Sequence, residues 1–326
     1  MENMKPMGMP PMGDKPPMGD KPPFGMPPME GMPFDGPPPG WEPPMADISW
    51  VKNKFLDVPY ATESKAQCMD IYLPEEGDGP FPALIHIHGG GFAIGDKRDD
   101  HMDAYLQAIK RGMVAISIEY RLSGEAKFPA AVLDCREAIR FIREHAAEYK
   151  IDSEKLVAIG GSAGGNLAAM LAMNIPNGEF VGEEGKEFST TPYVKLGIDQ
   201  FGPIYFKIMD DQARANGISK VEHDEPWSPE SKYIGKPLAL ATEEECVPAS
   251  PATYISENMT PMLIQHGTVD KLVPYEQSVE FVKDIEAKVG KEKVEFIPLE
   301  GADHEDKMFF ADANMNVVFD FINRKL

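Results

Sequence analysis

The sequence predicts an α/β protein built on a mostly parallel sheet with helices on both faces. Three observations carry that prediction. From about residue 50 onward, short apolar runs rich in Val, Ile and Leu alternate with amphipathic stretches. Clusters of Gly, Pro and Asp bound the runs. One run, Leu156-Val157-Ala158-Ile159, passes straight into Gly160-Gly161-Ser162-Ala163-Gly164-Gly165 and then into a helical pattern opened by Asn166-Leu167.

Residues 1–45 stand apart from this alternation. They are dominated by Met, Pro and Gly, with a repeat of Pro-Met-Gly-Asp-Lys-Pro at 11–16 and 17–22, a material that cannot pack a core and is expected to be a disordered tail. The folded domain is expected over 46–326. Lys54-Phe55-Leu56-Asp57-Val58 and Cys68-Met69-Asp70-Ile71-Tyr72 alternate like half-buried strands. Ala83 to His88 is a more apolar strand that ends in Gly89-Gly90-Gly91-Phe92. Met102 to Arg111 reads as a helix closed by Gly112, and Val114 to Ile118 as a buried strand. Phe128 to Tyr149 has the period of a long amphipathic helix, with Ala131, Leu133, Ala138, Ile139 and Ile142 on its inner side. After the serine turn, strands are predicted at Val194–Asp199, Met262–His266 and Val294–Pro298, and a closing helix at Met308–Arg324. Residues from about 202 to 256 break the pattern. So long a stretch without strands, carrying Tyr205, Phe206, Trp227 and Tyr233, predicts a cap of short helices whose aromatics either pack on the body or wall the site.

Composition bounds the function. The 326 residues carry a formal charge of −21, which disfavours nucleic acid and anionic membranes as partners. No run approaches the roughly 18 apolar residues of a membrane span, and no apolar run follows a basic start, so a cytoplasmic location is expected. Cys68, Cys135 and Cys246 are scattered and odd in number, predicting reduced thiols. There is no His-Glu-x-x-His pair, so no metal and no other cofactor is expected.

Four separated stretches supply one chemistry. In a G-x-S-x-G turn between strand and helix, Gly160 and Gly164 let the two elements pass while Ser162 projects its hydroxyl above the sheet edge. A serine hydroxyl needs a base, an orienting acid and a trap for the oxyanion. The base is expected to be His304, in Gly301-Ala302-Asp303-His304-Glu305 after the last strand. The acid is expected to be Asp270, just past the strand ending at His266. His266 competes as base but sits in a strand end, where a structural hydrogen bond is expected. Asp303, Glu305 and Asp306 compete as acid, but being adjacent to His304 in sequence they are poorly placed to face its Nδ1. His86 and His101 are read as structural. For the oxyanion hole, the amides of Gly90 and Gly91 after a buried strand join that of Ala163, with Gly89 assigned to the turn.

The order Ser162, Asp270, His304, with HGGGF at 88–92, GGSAGG at 160–165, HGTVDKLVP at 266–274 and GADH at 301–304, resembles the α/β-hydrolase superfamily over residues 50 to 326. Within it the chain is similar to carboxylesterases of the hormone-sensitive lipase group and to bacterial xylan acetyl and feruloyl esterase-like proteins. Two departures favour the latter: Gly161 stands where lipase relatives carry Asp, and the Met/Pro/Gly tail cannot form their N-terminal cap helices. The resemblance implies an α/β-hydrolase fold of the eight-stranded type with a small cap insertion, and a serine esterase acting through an acyl-enzyme on short-chain esters, possible substrates including acetyl or hydroxycinnamoyl esters of plant sugars. It implies a small-molecule ester as partner and leaves self-association open. A prolyl-oligopeptidase-like peptidase and a non-catalytic binding module of the same fold are the alternatives.

Overall fold

The computed structural model describes residues 43–218 and 221–326. The tail expected at 1–45 lies outside the described residues except for its last three, of which Met45 bridges Asp99. Eight strands form one sheet: β1 (Lys54–Pro59), β2 (Cys68–Tyr72), β3 (Phe81–Ile87), β4 (Val114–Ile118), β5 (Ile151–Gly161), β6 (Leu196–Gln200), β7 (Met262–Gly267) and β8 (Val294–Leu299). Their spatial order is β1-β2-β4-β3-β5-β6-β7-β8. β2 runs antiparallel to both β1 and β4, and every later pairing is parallel.

Alternation along the strands explains the two-sided core. Ile85, Ile87, Ile116, Ile118, Leu156 and Ala158 face one layer, while Leu84, Ala115, Val157, Ile159, Ile198 and Leu263 face the other. On the second face lie α1 (Met102–Tyr105), continued by a 3₁₀ turn to Arg111 and ended by Gly112 at φ 73°, and the C-terminal helix. On the first lie α2 (Ala130–Glu144) and α3 (Ala163–Ala172). Each fully buried Ile or Leu in these layers contributes about 1.5–3 kcal/mol.

Between β6 and β7, where a short-helix cap is expected, the chain adds α4 (Met209–Ala215), α5 (Pro229–Ile234) and α6 (Glu243–Cys246). Ser228 caps α5 by accepting from the Ser231 N–H, with Pro229 at the first helical turn and Gly235 at φ 85° closing it. α5 lies against the loop that follows β3. Tyr233 stacks on Phe92 with ring centroids 3.8 Å apart, and a Cβ on Gly91 would come within 2.8 Å of the Pro229 Cβ. Tyr233 and Phe206 are buried, so these aromatics pack on the body, whereas Trp227 stays 39% exposed.

The remaining helices are α7 (Glu276–Val289) and α8 (Asp312–Lys325). The sequence reading assigns no helix to α7, although Phe281 and Ile285, four apart, bury its inner side and Gly290 ends it. Helix α2 is shorter than the predicted Phe128–Tyr149. Pro129 at its N-cap has no N–H to give, and beyond His145 the chain turns, with Lys150 at φ 55°, to enter β5. Strand β1 is also less buried than predicted: Phe55 and Leu56 are exposed, because Asp57 at φ 55° marks a bulge in this edge strand. No helix among the described residues is long and apolar enough to cross a membrane.

Candidate active site

The loops leaving β3, β5, β7 and β8 meet at the carboxyl ends of the parallel strands, where ligands of such sheets bind. Ser162 sits between β5 and α3 at φ 55°, ψ −125°, a strained conformation for a residue with a side chain. Its N–H donates to the Gln200 carbonyl oxygen at 2.9 Å. A Cβ on Gly160 would lie 2.3 Å from the Gly164 oxygen, and one on Gly164 would lie 2.0 Å from the Ile87 oxygen. Only glycine at both positions lets α3 cross β5 and β3 so closely.

The Ser162 hydroxyl is 3.0 Å from His304 Nε2, and His304 Nδ1 is 2.8 Å from Asp270 Oδ2. The other carboxylate oxygen, Oδ1, accepts from the N–H groups of Leu272 and Val273, each at 2.8 Å. With Nδ1 donating to the carboxylate, Nε2 presents its lone pair to the hydroxyl. Burial pushes the Asp270 carboxyl up, and His304 and His266 outweigh it, holding the group well below the usual carboxylate range. Burial pushes His304 down, but the Asp270 charge and hydrogen bond prevail, so its pKa lies above the ordinary imidazole value.

Most of the rival residues have other partners. His266 is fully buried, with Nδ1 2.7 Å from the Ser278 hydroxyl and Nε2 2.9 Å from the Val273 carbonyl oxygen, and it braces Asp270 at 3.2 Å. Asp303 accepts from the Lys271 and His304 N–H groups, and Asp306 from that of Met308. His86 contacts Ser117, and His101 stacks on Phe310.

Gly90 and Gly91 stand at φ 99° and 57°, and a Cβ on Gly90 would lie 2.0 Å from the Ile94 oxygen. Among the described residues, the N–H groups of Gly90, Gly91 and Ala163 donate to no acceptor in the chain. Gly89 differs from its assignment as the turn glycine. It is not among the residues at positive φ, and what its missing side chain spares is contact with Gly161, Ser162 and Glu305.

The sequence reading assigns no role to the His88–Glu119 pair or to Phe201, and it weighs Glu305 only as a rival acid. His88 Nε2 pairs with Glu119 at 2.9 Å and the ring stacks on Tyr120, whose hydroxyl donates to the His88 carbonyl at 3.0 Å. Burial opposes the charged ring, but Glu119 raises its pKa to about 8. The signal was present in Glu119-Tyr120-Arg121 directly after β4, polar residues at the rim where the site lies. Phe201, at φ 47°, sets the edge of its ring against His304. Glu305, at φ 53°, turns its carboxyl toward Gly89. Among the described residues no group of three or more His, Cys, Asp or Glu is arranged to hold a metal ion.

This sheet, with a strand–serine–helix turn at its centre, defines an α/β-hydrolase. Residues 69–285 match the BD-FAE family, and the chain belongs to it. A "probable carboxylic ester hydrolase" of Mycobacterium tuberculosis, LipM, is 27% identical over 76% of this chain and 55% of its own length. The chain spans about half the length of the curated relatives it matches, such as LipM and LipQ. A solved truncated carbohydrate esterase from gut microbiota is 28% identical with a TM-score of 0.73, covering 86% of this chain and 99% of that one. A bifunctional GH43-CE protein of Bacteroides eggerthii is 28% identical with a TM-score of 0.72, covering 83% of this chain and 35% of that one.

Proposed function

We propose that the chain is a serine carboxylesterase that hydrolyses short-chain acyl esters through an acyl-enzyme. The observation that carries this reading is the hydrogen-bonded relay from Ser162 Oγ through His304 to Asp270, with distances of 3.0 and 2.8 Å. As Ser162 attacks the ester carbonyl, His304 Nε2 takes the hydroxyl proton. Asp270 fixes the tautomer and stabilises the imidazolium. The tetrahedral oxyanion is held by the N–H groups of Gly90, Gly91 and Ala163, which are otherwise unused. His304 then returns the proton to the departing alcohol, and a water activated by the same imidazole releases the acid.

Acetyl or hydroxycinnamoyl esters of plant-derived sugars are the proposed substrates. The similarity to a solved carbohydrate esterase from gut microbiota supports them. A cytoplasmic location is part of the proposal, supported by three free thiols in Cys68, Cys135 and Cys246. Turnover of p-nitrophenyl acetate against longer acyl chains, alongside acetylated and feruloylated oligosaccharides, tests this reading. Hydrolysis that falls with acyl length is expected. Cleavage of a peptide amide in preference to every ester would contradict it.

A further inference from the structure

Glu305 is a carboxylate beside the relay that the mechanism above does not use, and unlike Asp303 its Oε2 has no hydrogen-bond partner. It directly follows His304, the residue that in the proposed mechanism returns the proton to the departing alcohol. Its Oε1 is 3.5 Å from the point where a Gly89 side chain would begin, and that point is 3.5 Å from the Ser162 Cβ. With glycine at 89, no side chain stands at that point between carboxyl and nucleophile. Oε2 is sealed from solvent and accepts no hydrogen bond. Burial pushes the carboxyl above the usual range, opposed by His101 and His304 and reinforced by Asp99 and Asp270. The backbone pays as well, since Glu305 holds φ 53°, a region that favours glycine.

A polar atom left without a partner on a strained backbone costs stability, and such a cost calls for an explanation in function. We propose that Glu305 reads the alcohol half of the ester. Its carboxyl accepts a hydrogen bond from a hydroxyl carried close to the ester linkage, so the preferred alcohol is a polyol rather than an alkanol. The inference rests on the esterase reading above. A hydroxyl beside the ester can donate to a carboxyl oxygen, whereas a quaternary ammonium has no hydrogen to give.

The test compares kcat/KM for 1-monoacetin, propyl acetate and acetylcholine in the full chain and in the variants Glu305→Gly and Glu305→Asn. The first relieves the positive φ and the second tolerates it, so both are suited to fold. The wild type is expected to prefer monoacetin over propyl acetate. That ratio should fall about tenfold in Glu305→Gly, the weight of one hydrogen bond to a charged or polarised group, and by less in Glu305→Asn. A ratio unchanged in both variants, with a lowered melting temperature, would make the carboxyl merely structural and overturn the proposal. So would a wild-type preference for acetylcholine over monoacetin. Fluorophosphonate labelling of Ser162 in the same preparations separates the two readings. An unlabelled wild type sinks the esterase and this inference together, whereas labelling with an unchanged ratio removes only the role of Glu305.

Discussion

Gly164 and Ile87 touch backbone to backbone: a Cβ on Gly164 would stand 2.0 Å from the Ile87 carbonyl oxygen. The crossing of α3 over β3 that this contact permits is what lifts Ser162 to the sheet edge. Gly164→Ala must therefore push the helix off the sheet. It is expected to cost more than about 3 kcal/mol and to abolish turnover, since neither neighbour is a movable side chain. Gly124→Ala, where a Cβ meets nothing within 4 Å, should leave both unchanged. Denaturant melts and esterase rates of the two variants check this.

The acid limb of the pH–rate profile follows from His304. The base works only when neutral, and Asp270 holds its pKa above the ordinary imidazole value of about 6.5. Activity should therefore fall as the pH drops through a value above that figure. Asp270→Asn should move the limb to lower pH while turnover drops by about 10³–10⁴, because the imidazole loses both its charge partner and its fixed tautomer. A profile of kcat/KM from pH 5 to 9 for both proteins is the check.

Stability should show a separate pH dependence from His88. Its folded pKa of about 8 lies above the unfolded value near 6.5, so its pairing with Glu119 contributes fully below about pH 6.5. That contribution is lost as pH rises through about 8, and it amounts to at most about 2 kcal/mol. Glu119→Gln should flatten this slope in urea unfolding between pH 6.5 and 9.

Away from the site, Glu183 lies buried between Arg136 and Arg140, accepting from Arg136 Nε at 2.8 Å and Nη2 at 2.7 Å. Arg136 is itself 2% exposed. Glu183→Leu would strand a buried guanidinium and is expected to destabilise the fold by about 3–5 kcal/mol, without changing kcat in the protein that remains folded. Thermal unfolding and active-site titration together measure both halves of that statement.

The convergence of Ser162, His304 and Asp270 was legible because each stretch carries a local reason. Gly160 and Gly164 flank a serine at a strand–helix turn, Gly90 and Gly91 need positive φ, and Asp270 and His304 each follow an apolar strand. What escaped depends on partners distant in the chain. His88 and Glu119 are 31 residues apart and Arg136 and Glu183 are 47 apart, and neither pair leaves a periodic trace. Glu305 was weighed only as a rival to Asp270. That its Oε2 has no hydrogen-bond partner is a property of the packed loop, invisible in the order of residues. Helix α7 was missed for a different reason. Only Phe281 and Ile285 among its apolar residues are fully buried, so its stripe is narrow.

The account depends most directly on Ser162 being the nucleophile that His304 activates. Intact mass and peptide mapping after treatment with a fluorophosphonate measure this. One adduct per chain on Ser162 is expected, absent in Ser162→Ala and slowed by several orders of magnitude in His304→Ala. An adduct on another residue, or ester hydrolysis that survives Ser162→Ala at the wild-type rate, would contradict it.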